Sequence, residues 1–264
     1  MSAKVIFITG ATSGIGYETV KALFNSENPY HIFLGSRTVE KGEAVVKEIR
    51  NASPSAKNKL ELVHIDLQSD ETIEKAFVQV RDGPGRLDAL VHNAGAGYDL
   101  DFMQGKMGLR ESFMKAYDVN VAGAQVLTYT FIPLLLGSSE PRVLFLAGLS
   151  QMTQAAEEYF PTPPQPAGWP KKVDFETIGY RCSKTAMNMM MLDWNHKLKA
   201  DGIKVFSVSP GICATDLGGL SSESWAAMGA MPPSEGAERL IAVVEGKRDA
   251  DSGKVLDKVG FLPW

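Results

Sequence analysis

Tyr180 and Lys184 stand four residues apart in the run Tyr180-Arg181-Cys182-Ser183-Lys184, a spacing that puts a phenol and an ammonium on one face of a helix. A phenol titrates near pKa ~10 in water, and a fixed positive charge a few ångströms away favours its ionised form. That makes the pair a candidate acid-base catalyst. Tyr and Lys at this spacing also occur on ordinary amphipathic helices, so the assignment depends on what else the chain brings to them.

A second chemistry follows the first apolar run. Thr9-Gly10-Ala11-Thr12-Ser13-Gly14-Ile15-Gly16 leads from a strand pattern into a helix pattern. Glycines there permit a tight turn, let the backbone approach a pyrophosphate and allow close helix-strand packing, while the helix N-terminus attracts phosphate charge. Gly10, Thr12, Ser13, Gly14, Ile15 and Gly16 are therefore candidate dinucleotide-binding residues. The spacing Gly-x-x-x-Gly-x-Gly departs from the commoner Gly-x-Gly-x-x-Gly, and 25 glycines leave room for chance clusters, so the position between strand and helix carries the argument. The second apolar run ends Leu34-Gly35-Ser36-Arg37. An acidic residue at that terminus would hold the 2′-hydroxyl of NAD, whereas arginine accommodates the extra phosphate of NADP. Ser36 at the acidic position, then Arg37 and, one helical turn on, Lys41 predict NADP; the competing reading of Arg37 is a solvated residue at a helix start. Asp66, ending the third run, is placed to accept a hydrogen bond from the adenine amino group or to cap a nearby helix.

The elements that must position these residues are legible as an alternation. Apolar, β-branched runs at 5–9, 31–35, 60–66, 87–92, 143–147 and 205–209 are continuous rather than alternating, as in parallel strands buried on both faces. Amphipathic helical patterns fill 15–26, 39–50, 70–80, 109–136 and 179–200 between them, with a further helix at 234–245 and a last strand at 254–257. This order predicts an α/β fold: one domain over 1–264 with a doubly wound, mostly parallel, seven-stranded Rossmann-type sheet and helices on both faces. Two stretches break the pattern. Residues 151–177 hold Pro161, Pro163, Pro164, Pro166 and Pro170 with Tyr159, Phe160 and Trp169, which excludes a single helix and predicts a long ordered loop. Residues 211–231 follow the sixth strand at the carboxyl edge of the sheet, where ligands bind in open α/β folds.

Composition narrows the function classes. With 44% apolar and 22% charged residues among 264, the chain is ordinary globular material. A net charge of -4 and a pI of about 5.7 offer no footprint for nucleic acid. The two cysteines, Cys182 and Cys213, show neither disulfide nor zinc spacing, so no metal is expected and a reducing, cytoplasmic setting is. The first apolar run is too short for a signal peptide, and no stretch is expected to reach the length of a membrane span.

Taken together, these motifs make the chain resemble a short-chain dehydrogenase/reductase over nearly its whole length. Thr9 to Gly16 is similar to the family's glycine turn, Asp66-Leu67 to its adenine-contacting pair, and His92-Asn93-Ala94-Gly95 to its Asn-Asn-Ala-Gly strand terminus, with His92 in place of the first asparagine. Asn120, in Asn120-Val121-Ala122-Gly123, matches the family's structural and catalytic asparagine, and Pro210-Gly211-Ile212 with Thr215 matches the loop at the nicotinamide end. The resemblance implies an NADP cofactor held by Asn93, Ala94, Gly95 and Leu67 besides the residues above. It also implies Tyr180 and Lys184 as the active-site pair, Lys184 lowering the tyrosine pKa and binding the nicotinamide ribose, and Asn120 holding a water that links Lys184 to solvent. The family serine that binds the substrate carbonyl has no gap-free counterpart: the match puts Gly148 there, and Ser150 reaches it after a shift of two residues, which keeps the same strand facing. Both remain open, with Ser150 the catalytic candidate.

The 151–177 stretch resembles the insertion of carbonyl-reductase-like members, and Val173-Asp174-Phe175 resembles a segment of retinol-dehydrogenase-like ones; packed over the usual subunit contact, it favours a monomer. The expected activity is NADPH-dependent reduction of a ketone or aldehyde. Phe102, Met103, Met107, Tyr159, Phe160, Trp169, Trp225, Met228 and Met231 are the candidates for a hydrophobic substrate pocket. An NADP-dependent alcohol, retinoid or steroid dehydrogenase is the alternative, as is a dinucleotide-binding regulator with weakened catalysis, which Gly148 and His92 suggest.

Overall fold

The computed structural model describes residues 2–148, 150–159, 163–171, 173 and 175–264. Seven parallel strands, β1 (Lys4–Ile8), β2 (Tyr30–Ser36), β3 (Lys59–His64), β4 (Ala89–His92), β5 (Arg142–Leu146), β6 (Lys204–Val208) and β7 (Val255–Leu256), form one sheet. An eighth, β8 (Phe261–Leu262), pairs antiparallel with β7, giving the order β3-β2-β1-β4-β5-β6-β7-β8. The sheet thus has one strand more than the sequence pattern predicts. Two residues after a short turn are too few to show any periodicity.

The strands are buried on both faces, so each reads as continuously apolar. In β1, Val5 and Phe7 face one core cluster while Ile6 and Ile8 face the other. The first cluster joins the sheet to α3 (Asp70–Asp82), α6 (Ala124–Leu136) and α8 (Ile178–Leu198) through Ile73, Phe131 and Met187. The second joins it to α1 (Gly14–Phe24), α2 (Val39–Ala52) and α10 (Pro233–Val244) through Val20, Val46 and Leu240. Strand order reverses between β1 and its neighbours β2 and β4, and the crevice beyond their carboxyl ends is where such sheets take ligands.

The helix expected over 109–136 is composite. α5 (Leu109–Tyr117) passes through a π-helical turn, Asp118–Gly123, into α6. Leu109–Leu136 is long and apolar enough, by length and composition, to cross a membrane, which corrects the expectation that no stretch reaches that length. Half of its most apolar window is buried, with Leu127, Phe131, Leu134 and Leu135 packed in the core.

Three short helices were not predicted: α4 (Asp99–Met103), α7 (Met152–Glu157) and α9 (Ser222–Ala227). Each is one or two turns, below the length at which helical periodicity is readable. α7 ends before the first proline of the 151–177 stretch, and the described residues between it and α8 carry no helix or strand. Phe160, Pro161 and Asp174 lie outside the described residues.

Candidate active site

The glycine turn is built by left-handed backbone and stapled to β4. Gly10 and Gly14 have φ of 61° and 55°, a region that side chains disfavour. Ser13 precedes α1 in extended conformation without using its side chain as a cap, so the first-turn N–H groups face outward for an anion. Asn93 donates through Nδ2 to the carbonyls of Thr9 and Gly10 at 2.8 and 3.0 Å, and the Ala94 N–H donates to Thr9 Oγ1 at 3.0 Å. Gly16 sits beneath the turn, where a Cβ would overlap the Asn93 amide and lie 2.8 Å from the Gly10 carbonyl oxygen.

From this turn a cleft of ≈ 560 Å³ runs along the carboxyl edge of the sheet. Gly10, Thr12, Ser13, Gly14 and Ile15 line its middle, and Ser36, Arg37, Thr38 and Lys41 one side. Asp66 and Leu67, Asn93, Ala94 and Gly95, and then Pro210, Thr215, Tyr180 and Lys184 complete it. The Ser36 hydroxyl is occupied by the Thr38 carbonyl at 2.7 Å, which leaves Arg37 and Lys41 as the cations of that end. Ser69, not Asp66, caps α3, accepting from Thr72 N at 3.3 Å. Asp66 Oδ1 takes the Gln68 N–H at 3.1 Å and the residue stays on the cleft wall. Gly211 and Ile212 fall outside the cleft: Gly211 is covered by Met231 and Arg239, and Ile212 is 44% exposed.

At the far end, α8 carries Tyr180 and Lys184 on one face. Lys184 is fully buried; its Nζ donates to the Leu146 carbonyl at 2.8 Å, contacts Met187 Sδ at 3.3 Å and lies 5.5 Å from the Tyr180 ring centroid. Burial pulls the lysine down to about 7 and pushes the Tyr180 phenol up. Desolvation acts on both groups, and it works against the lowering of the tyrosine that a charged Lys184 would bring.

Asn120 Oδ1 accepts from Ala96 N at 2.8 Å, and its Nδ2 donates to the Ala96 carbonyl at 2.8 Å and to Ser183 Oγ at 2.9 Å. The side chain is fully buried and off the cleft, and it ties the Gly95-Ala96-Gly97 segment to α8. Ser150 is a further correction. Its hydroxyl is buried, donates to the Ala147 carbonyl at 3.2 Å and accepts from Asn188 Nδ2 at 2.9 Å, while Gly148 lines the cleft. The chain turns after β5, so the two-residue strand period no longer governs which way Ser150 points. His92 forms no part of the wall; it stacks on Phe145 at 4.5 Å, pairs with Thr128 Oγ1 at 2.9 Å, and burial lowers it to about 3.

The aromatic and methionine candidates for the substrate pocket stay out of the cleft. Trp169 is 87% exposed, Trp225 packs edge-on against Phe175 at 5.8 Å, and Met231 covers Gly211. Phe102, Met103, Met107, Tyr159 and Met228 are likewise absent from the wall. Around Tyr180 the wall is instead Gly97, Tyr98, Gly148, Leu217, Gly218 and Gly219, which sequence reasoning missed apart from Gly148. Gly97 and Tyr98 directly follow the Asn93-Ala94-Gly95 motif, and that adjacency was the available signal. A Cβ at Gly97 would lie 3.3 Å from Tyr180 Cδ2, so the glycines admit the ring close to the backbone.

This arrangement has relatives. A family model described as short chain dehydrogenase matches residues 4–157. The chain belongs to the short-chain dehydrogenase/reductase family. The short-chain dehydrogenase/reductase tropE of Talaromyces stipitatus is 42% identical over 259 residues, covering 97% of this chain and 96% of its own. The short-chain dehydrogenase/reductase eupG of a Phoma species is 40% identical over 271 residues, covering 98% and 97%. In fold, the chain is similar to an NADPH-bound carbonyl reductase from chicken fatty liver, with a TM-score of 0.78 over 100% of both chains at 20% identity.

Membership makes the protein an oxidoreductase of CH–OH and C=O groups that uses a nicotinamide dinucleotide. The residues present fit that cofactor. Left-handed glycines and free helix N–H groups suit the pyrophosphate, Asp66 suits the adenine, and the cleft continues without a break to Tyr180 and Lys184.

Proposed function

We propose that this short-chain dehydrogenase/reductase is an NADPH-dependent reductase of ketones or aldehydes on small hydrophobic molecules, with Tyr180 as general acid. The observation that carries the reading is one cleft with Arg37 and Lys41 at its cationic end and the half-buried Tyr180 phenol, beside Lys184, at the other. When bound, the dinucleotide supplies the hydride. The cations of the β2 end fit a 2′-phosphate, for which Ser36 leaves room where a carboxylate would repel it. A protonated Tyr180 donates its proton to the oxygen that gains negative charge, and a group held protonated by burial suits that direction better than alcohol oxidation, which needs a base. Lys184, pulled down to about 7, exchanges a proton near neutral pH and stands close enough to the ring to restore it. Asn120 acts through backbone, holding Ala96 against α8. Leu217, Tyr98 and four glycines border the phenol, and Asp216, the nearby carboxylate of the wall, is engaged by the Ser222 N–H at 2.9 Å, a lining that supports an uncharged substrate.

Tyr180→Phe tests the chemistry: turnover of an aldehyde panel with NADPH should vanish while NADPH binding, followed by fluorescence, stays at the wild-type level. Retained turnover would sink the assignment. Arg37→Ala tests the cofactor: the preference for NADPH over NADH should fall by about 10-fold or more, on the scale of a charge-assisted phosphate contact, and an unchanged preference would point to NAD.

A second reading draws on Gly148. Gly148 lines the cleft at the position that the resemblance gives to the family serine, and a glycine there offers no hydroxyl to stabilise developing charge, which fits a dinucleotide-binding regulator. Tight NADPH binding with no turnover across a broad carbonyl panel would favour it.

A further inference from the structure

We infer that Asp99 is a positioning residue for Tyr180, setting the first turn of the catalytic helix from the opposite wall of the cleft; this rests on the reading of Tyr180 as the acid. α8 begins without help from its own cap residue, since Thr177 makes no side-chain capping bond. Asp99, 80 residues away in sequence, takes that place. Its Oδ1 accepts the Gly179 N–H at 2.7 Å and its Oδ2 the Tyr180 N–H at 3.0 Å. Glu176 Oε1 accepts the N–H groups of Thr177 and Ile178 at 2.8 and 3.1 Å, and Arg181 N makes the first intrahelical bond, to the Thr177 carbonyl at 2.8 Å. The orphan amides of the helix start are thus divided between a local carboxylate and a distant one. The distant one holds the residue that bears the phenol.

The place of Asp99 gives this bond its consequence. Gly97 and Tyr98, immediately before it, line the cleft beside Tyr180, and Leu100, immediately after it, packs within 3.3 Å of where a Gly219 Cβ would stand. One buried carboxylate, 7% exposed, therefore joins the β4 wall, the 217–219 wall and the Tyr180 turn into a single rigid frame. A Cβ at Gly179 would come 3.0 Å from Asp99 Oδ1, so the glycine lets the carboxylate reach both amides.

The test measures kcat for aldehyde reduction and the Kd of NADPH in Asp99→Ala and Asp99→Asn, with rates expressed per NADPH-binding site. Asp99→Ala should lower kcat by about 100-fold, the scale of a misplacement of the acid by about 1 Å, with NADPH affinity at the wild-type value. Asp99→Asn keeps one acceptor for Gly179 and should fall between Asp99→Ala and wild type, and it decides the matter if the alanine variant does not bind NADPH. Asn58→Ala is the structural control: it removes three bonds to the carbonyls of Leu23, Phe24 and Ser26 far from the cleft, and should lower stability with kcat unchanged. Wild-type kcat in Asp99→Asn and Asp99→Ala would overturn the inference, as would a kcat loss in Asp99→Asn matched by equal loss of NADPH affinity. If Tyr180→Phe abolishes turnover while the Asp99 variants keep it, the positioning role alone fails; if Tyr180→Phe retains turnover, the catalytic reading itself is wrong.

Discussion

Replacing Lys184 by Met should make the protein more stable and less active at once, and by an amount that depends on pH. Lys184 is fully buried, it donates to the Leu146 carbonyl and contacts Met187 Sδ, and burial lowers its pKa from 10.5 to about 7. The folded value lies below the unfolded one, so between them the unfolded chain binds more protons and stability rises with pH. Below pH 7 the penalty for burying the ammonium is present in full; it shrinks through the window and is gone above the unfolded value. A full pH unit inside the window corresponds to about 1.4 kcal/mol and the folded group is half protonated at pH 7, so wild type gains about 2 kcal/mol from it between pH 7 and pH 9. Lys184→Met gains none of it. The variant also leaves the Leu146 carbonyl without its donor, a cost of about 1–3 kcal/mol that is the same at every pH. Urea unfolding at 25 °C of both proteins, without added dinucleotide, separates the two effects. The stability difference between variant and wild type should shift towards wild type by about 2 kcal/mol on going from pH 7 to pH 9, while reductase turnover is lost at both. A difference that stays constant with pH would refute the argument that the amine is held near neutrality by burial.

Gly123→Ala should damage both stability and cofactor binding, because a Cβ there would overlap the Leu67 carbonyl oxygen and lie 2.7 Å from Leu67 Cβ, both backbone-anchored; overpacking of this kind costs about 1–3 kcal/mol. Thermal unfolding should register the loss, and the KM for the dinucleotide should rise because Asp66 and Leu67 line its cleft. Gly148→Ser has room, with Pro210 Cδ at 3.9 Å from the added Cβ, and should raise turnover of simple ketones by about 10-fold, towards the scale of an added oxyanion donor. Ser150→Ala should leave turnover unchanged and lower stability by about 1–3 kcal/mol through the Asn188 amide it strands; the opposite pattern in steady-state kinetics and unfolding would return Ser150 to the catalytic role.

The sequence by itself determined the architecture and both ends of the cleft. Alternating apolar runs and amphipathic stretches predicted the parallel sheet because strands buried on both faces and helices with one buried face leave different periods in the chain. The places of the glycine turn, Arg37, Lys41, Asp66 and the pair Tyr180 and Lys184 on the cleft were legible because each depends on local backbone or on a fixed helical spacing. Tertiary structure alone decided the rest. Whether Gly148 or Ser150 faces the cleft depends on how the chain turns after β5, beyond the reach of a strand period. That Asn120 binds backbone, that Asp99 caps a helix 80 residues away, and that glycines rather than aromatics border Tyr180 are contacts between segments remote in sequence. The ionisation of Tyr180 and Lys184 belongs to the same class. Spacing predicts that the two groups meet, but the desolvation that pushes the phenol up and the ammonium down is a property of the packing around them.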